Sequence, residues 1–173
     1  MPKSSLLGRS SQGDTPPVLW IKDGVSPVGL SQQGMTDELY LSLRDRALQQ
    51  RLDGDSEELM GLLYQFWSHF LVRNFNVAMY EEFHNLAMND LQNGSDCGGK
   101  HLVRYYEALL TGQTTLSDRL AQDIVDMAGN EPGDGRLAFQ KLRTAWRNGA
   151  FSMKSRTKIN RILPSPLRAE LEK

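Results

Sequence analysis

Cysteine occurs once in this chain of 173 residues, as Cys97. A single thiol excludes an internal disulfide and fits a reducing compartment. Histidine occurs three times, at His69, His84 and His101, too few for a relay of proton-transfer groups. His84, Cys97 and His101 match no zinc-ligand spacing and lack a fourth ligand, so no metal and no other cofactor is expected. Long apolar runs are missing as well. None approaches the ~20 residues that cross a bilayer, and no charged stretch followed by an apolar one marks a secretory leader. The chain has no phosphate-binding glycine loop, no dinucleotide fingerprint, no HExxH and no nucleophile elbow. Glu81 and Glu82 are adjacent and diverge on a helix, so they read as a solvated face and not as a catalytic pair. These gaps argue against an enzyme and against a membrane partner. They lead us to expect a soluble, cytoplasmic protein.

What is present is ordinary globular usage, with 39% hydrophobic and 24% charged residues. The net charge of −1 says nothing about partners, but its distribution does. Residues 51–100 hold three basic and eight acidic side chains. Residues 136–161 hold Arg136, Lys141, Arg143, Arg147, Lys154, Arg156, Lys158 and Arg161, with no acid. Such asymmetry suits a polyanion-facing end; the alternative is a solvated face with a loose basic tail.

Residues 1–33 are rich in Ser, Gly, Gln and Pro and read as a flexible arm. Val18-Leu19-Trp20-Ile21 interrupts the arm and reads as a docking segment. A helical period begins at Thr36, an expected N-cap, and carries Leu39, Leu43, Ala47 and Leu48 as far as Gly54. After a capping-box variant at 55–58, Leu59, Leu62, Leu63, Phe66, Trp67, Phe70 and Leu71 follow at helix spacing. Asn74 or Asn76 starts a partner helix that buries Met79, Tyr80, Phe83, Leu86 and Ala87 and ends at Gly94. Residues 93–99 read as a loop. A second pair runs from His101 to about Thr111 and from Leu116 to about Ala128, closed by Gly129. Residues 130–135 form a loop, and Arg136 to Asn148 form a fifth helix with Leu142 and Trp146 inward and Gly149 as its stop. Residues 151–173 read as a basic tail, with Pro164-Ser165-Pro166 able to start a short last helix. No stretch of strand length alternates apolar and polar residues, so the fold class is all-α.

The helix pairs repeat. LLYQFWSHFL (62–71) lies over HLVRYYEALL (101–110), matching Phe66 to Tyr105 and Trp67 to Tyr106. A degraded third copy begins near Leu137, with Phe139 in the place of Trp67. A period near ~40 residues with two helices per unit is the signature of HEAT-like stacking, here about three helix pairs over residues 34–150. Phe66, Trp67 and Phe70 then fall on the inward face. The adjoining stripe is Gln65, His69 and Val72 or Arg73 in one repeat, and Arg104, Ala108 and Thr111 in the next. Cationic side chains on a helical groove suit a single nucleic-acid strand. Arg73, Arg104, Arg143 and Arg147 would meet phosphates, and His69 would offer a stacking face.

FWSHFLVRNFNVAMYEEFHNLAMND (66–90), LVRYY (102–106) and GMTDELY (34–40) together resemble the C-terminal helical-repeat region of La-related protein 1. The resemblance implies a right-handed HEAT-like stack. It implies binding to the methylated cap and first pyrimidines of terminal-oligopyrimidine messages, and control of their translation and stability. It keeps one arginine of the family's binding surface, Arg104. Gln65, His69 and Val72 stand where animal members carry two arginines and an aromatic, with Arg73 one place away. Ala108 replaces one tyrosine of the cap sandwich, Thr111 replaces the acidic reader of guanine, and the second tyrosine falls near Thr144. A cationic guanine is held by aromatic faces on both sides; alanine has no face and threonine no charge. The expected partners are therefore RNA at the leading end of a message and, with it, translation factors or the ribosome, and not DNA. A second reading is a helical scaffold for other proteins of translation.

Overall fold

The computed structural model describes residues 33–54, 57–131 and 134–173, with side chains from Tyr40 onward. The arm up to residue 32 with its segment at 18–21, the capping residues 55 and 56, and Pro132-Gly133 of the expected loop lie outside the described residues. Among the described residues there are eight helices and no strand. They are α1 (Gln33–Asp53), α2 (Glu58–Arg73), α3 (Val77–Gln92), α4 (Cys97–Thr111), α5 (Asp118–Asn130), α6 (Leu137–Asn148), α7 (Met153–Ile162) and α8 (Ser165–Glu172). The all-α reading holds. The chain divides into two units, with the boundary after Leu86, inside α3.

In the first unit α1 packs on α2. Met60, Leu63, Tyr64, Trp67 and Leu71 recur at helical spacing and are buried, with Phe66 beside them. Tyr40 lies against Phe66 with ring centroids 4.7 Å apart, and Trp67 stacks on Phe83 of α3 at 5.5 Å. Each such ring removes enough apolar surface from water to contribute roughly 1.5–3 kcal/mol. Trp67 carries a polar edge into this core, and its Nε1–H donates to the Tyr40 hydroxyl at 3.0 Å. Phe70 is only half-buried; it stacks on Phe66 at 5.1 Å. Arg44 of α1 reaches α3, donating from Nε and Nη2 to both oxygens of Glu82 at 2.7 and 2.6 Å. Asn76, and not Asn74, starts α3: its side-chain oxygen accepts the Met79 N–H at 3.0 Å. The first helix begins at Gln33, a turn before the expected cap at Thr36.

In the second unit α6 is central, packed by α4, α5 and α8, while α7 packs on α5. Helix α4 starts at Cys97, inside the stretch expected to be loop. The reason is Gly99: a Cβ there would come within 2.7 Å of the Leu91 side chain, so glycine lets the first turn of α4 close on Leu91. Gly129 does not stop α5, which runs on to Asn130. The Glu131 carboxylate instead accepts the N–H groups of Ala138 and Phe139 at 2.9 and 2.8 Å and so caps α6 from outside it. Gly149 does end α6, in the left-handed region at φ 62°.

Residues 151–173, expected as a basic tail, form α7 and α8. Ile159, Leu163, Leu167 and Leu171 recur every four residues and are all buried. Ser155 of α7, fully buried, accepts the Leu116 N–H at 2.9 Å, and Lys158 donates to the Leu116 carbonyl at 2.9 Å. These two bonds fasten α7 to the connection between α4 and α5.

Burial pushes the Tyr40 phenol up to about 12, outweighing the opposing pull of the indole N–H and Arg44. The folded value lies above the unfolded value of ~10, so the neutral phenol's stabilisation is complete below pH ~10 and disappears as pH climbs toward ~12. Tyr40→Phe is expected to cost about 1–2 kcal/mol in urea unfolding at neutral pH, because the buried indole N–H loses its acceptor. The same variant should lose less stability than the parent between pH ~10 and ~12, since it has no phenol to ionise there.

Candidate functional site

Gln65, His69 and Arg73 follow one another at four-residue spacing on α2 and share one side of it. Gln65 and His69 are half-buried, as is Val72, and Arg73 is exposed. His69 Nδ1 lies 2.9 Å from the Gln65 carbonyl. A carbonyl only accepts, so Nδ1 carries a proton and the ring is held against its own helix.

The other five expected residues lie in the second unit. Arg104 and Thr111 are exposed on α4 and Ala108 between them is half-buried. The Thr111 hydroxyl donates to the carbonyls of Glu107 and Ala108 at 3.0 and 3.3 Å, so it is engaged by the last turn of α4. Glu107, one turn on from Arg104, pairs with Lys141 of α6 at 3.0 Å. That pair joins one flank of α4 to one flank of α6. A helix turns about 100° per residue, so Arg143 lies about 200° round from Lys141. Thr144 is exposed. Arg143 is half-buried on the far flank, and Arg147 is exposed on the outward face of α6. Arg104, Ala108 and Thr111 come together as expected from their spacing; Arg143 does not join them.

The basic stretch of 136–161 is only half available to a ligand. Arg136 binds Glu170 of α8 at 2.7 Å, and its guanidinium lies 4.0 Å over the Phe139 ring. Hydrogen bonding across that pair holds the Arg136 guanidinium above its usual range and the Glu170 carboxyl below its own. Lys141 is taken by Glu107, and Lys158 by Asp118 at 3.2 Å. Arg156 stacks 4.0 Å over Trp146 and donates to the Trp146 carbonyl at 2.8 Å, closing the end of α6. Arg147, Lys154 and Arg161 are exposed and Arg143 is half-buried. Phe139, expected in the place of Trp67, is a half-exposed ring under Arg136; Leu142, Ala145 and Trp146 fill the core there instead.

Aromatic faces are scarcer still. All five tyrosines are at most 2% exposed. Tyr105 and Tyr106, adjacent to the expected stripe, both point inward, and burial pushes the Tyr105 phenol well above its ordinary value. Phe75 is the large exposed ring among the described residues, at 47%. Among those residues no group of three or more His, Cys, Asp or Glu side chains is placed to hold a metal, and no helix is long and apolar enough to cross a membrane. The pairing of Glu107 with Lys141 had no signal in the sequence, since the two stand on different helices.

Removing Arg156 and removing Arg147 should therefore differ. Arg156→Ala loses a stacked cation and a helix-end hydrogen bond and is expected to cost about 1–3 kcal/mol. Arg147→Ala, at an exposed position, should stay within about 0.5 kcal/mol of the parent. Urea unfolding followed by tryptophan fluorescence checks both.

A family model described as the LARP1 HEAT repeat region matches residues 26–163. The match takes in α1 through α7, including every residue of the two stripes, and stops short of α8. The all-helical fold agrees with that match, and the chain belongs to the LARP1 HEAT repeat region family.

Proposed function

We propose that this chain is an RNA-binding module that grips the leading end of a message by its phosphates, in the cytoplasm, and so regulates translation or message stability. The observation that supports this reading best is Arg104: exposed on α4, at the one position where the resemblance retains the family's arginine. Arg147 on α6 is a second exposed cation in the same unit; Arg73 and His69 are a separate candidate contact on the first unit. Guanidinium groups suit phosphate oxygens because their fork of donors matches them. Recognition of a methylated cap has no support from the side chains. A cationic base needs rings on both faces, Ala108 has none, and all five tyrosines are inside. The module is accordingly a binder of strands and not a reader of the cap, and nothing in it calls for catalysis.

Titration of a short pyrimidine-rich RNA, with and without a methylated cap, at several salt concentrations tests the reading. Affinity should fall steeply with salt and be equal for the two RNAs. Arg104→Ala should lower the salt slope by about 0.7, one phosphate contact on a single strand. Glu107→Gln should raise affinity about fivefold, because it removes a negative charge beside Arg104 and releases Lys141, a change of roughly 1 kcal/mol in water. RNA binding absent even at low salt would overturn the proposal, and a strong preference for the capped RNA would overturn its account of the cap.

A further inference from the structure

We propose that Val18-Leu19-Trp20-Ile21 of this same chain seats in a pocket of the first unit, formed between α1 and the start of α3. The pocket has a volume of about 430 Å³, with Tyr40, Leu41, Ala78 and Met79 among its lining. That is within the size range of clefts that enclose a large side chain. Among the described residues the charges lining it are Arg44 and Glu82, which neutralise each other through two short hydrogen bonds. A mostly apolar wall with a self-paired ion pair repays an apolar occupant and offers little to a polyanion.

The chain itself holds a matching occupant. Val18 to Ile21 is the longest apolar run ahead of α1, bounded by Pro16-Pro17 and Lys22-Asp23. Its indole has an apolar body and one N–H donor, and half-buried Glu82 offers an acceptor at the pocket. Reach is sufficient. Helix α1 starts at Gln33, and the seven steps to Tyr40 rise about 10 Å. The eleven residues from 22 to 32 can span up to roughly 36–40 Å, so the segment can turn back along α1 with slack. α1 is the first described helix, and a helical stack needs its first apolar face covered. The segment also lies ahead of residue 26, where the family match begins, so this contact belongs to the chain and not to the matched region.

Amide hydrogen exchange on the full chain, read by mass spectrometry at two protein concentrations, tests the proposal. Three proteins are compared: the parent, Trp20→Ala and Ala78→Asp. Ala78 is exposed and second in α3, where an acidic side chain suits the helix dipole, so Ala78→Asp charges the pocket while leaving the core intact. In the parent, amides 18–21 should exchange at least about tenfold more slowly than in a free peptide, independently of concentration. Both variants should return them to the free-peptide rate. Free-peptide exchange in the parent would overturn the proposal. So would protection that survives Ala78→Asp, which would place the segment elsewhere, or protection that grows with concentration, which would make the occupant a second copy.

Discussion

Filling the space between short helices with large rings is the constraint on which this structure depends. Aromatic residues are only 8% of the chain, and packing takes most of those described. Trp67, Phe83 and Tyr64 interlock in the first unit, with Phe66 against Tyr40; in the second, Tyr105 meets Tyr106 and Trp146 meets Phe151. A ring that fills a core has no face left for a base, so the same economy that stabilises the repeats limits what their surface can stack on. Among the described residues Phe75 is the one ring left largely exposed.

Charge follows a similar division. Counted along the sequence, eight cations without an acid make residues 136–161 look like one binding surface. Folded, Arg136 and Arg156 lie over rings, and Lys141 and Lys158 tie α6 and α7 to neighbouring helices. Long cationic side chains do this well because their stems pack while their heads find carbonyls and carboxylates. Arg104 lies outside that stretch, on α4.

The helices and their inward faces were legible in the sequence because burial at i, i+3 and i+4 is a local pattern. It read Leu63, Trp67, Phe83, Leu120, Ile124 and Leu142 as core, and all are buried. Helix ends were less legible. The start of α4 at Cys97 depends on Leu91 packing over Gly99, and the end of α5 on Glu131 capping the next helix; neither is visible in a propensity. The stripe of Arg104, Ala108 and Thr111 followed from spacing alone. The separation of Arg143 from it did not, because it depends on the rotation of α6, whose Ala138, Leu142, Ala145 and Trp146 turn inward. In residues 151–173 a signal was present and outweighed: Ile159, Leu163, Leu167 and Leu171 repeat every four residues, beneath a density of charge that reads as solvated.

The last helix separates two notions of where this fold stops. Likeness to the family ends at residue 163, yet Leu167 and Leu171 are as deeply enclosed as residues in the middle of the chain, and Glu170 holds Arg136. A fragment trimmed to the recognisable region would strip two leucines and a carboxylate from the flank of α6 and wet a side that is now dry. The packed body of this protein therefore extends past the matched region, to α8.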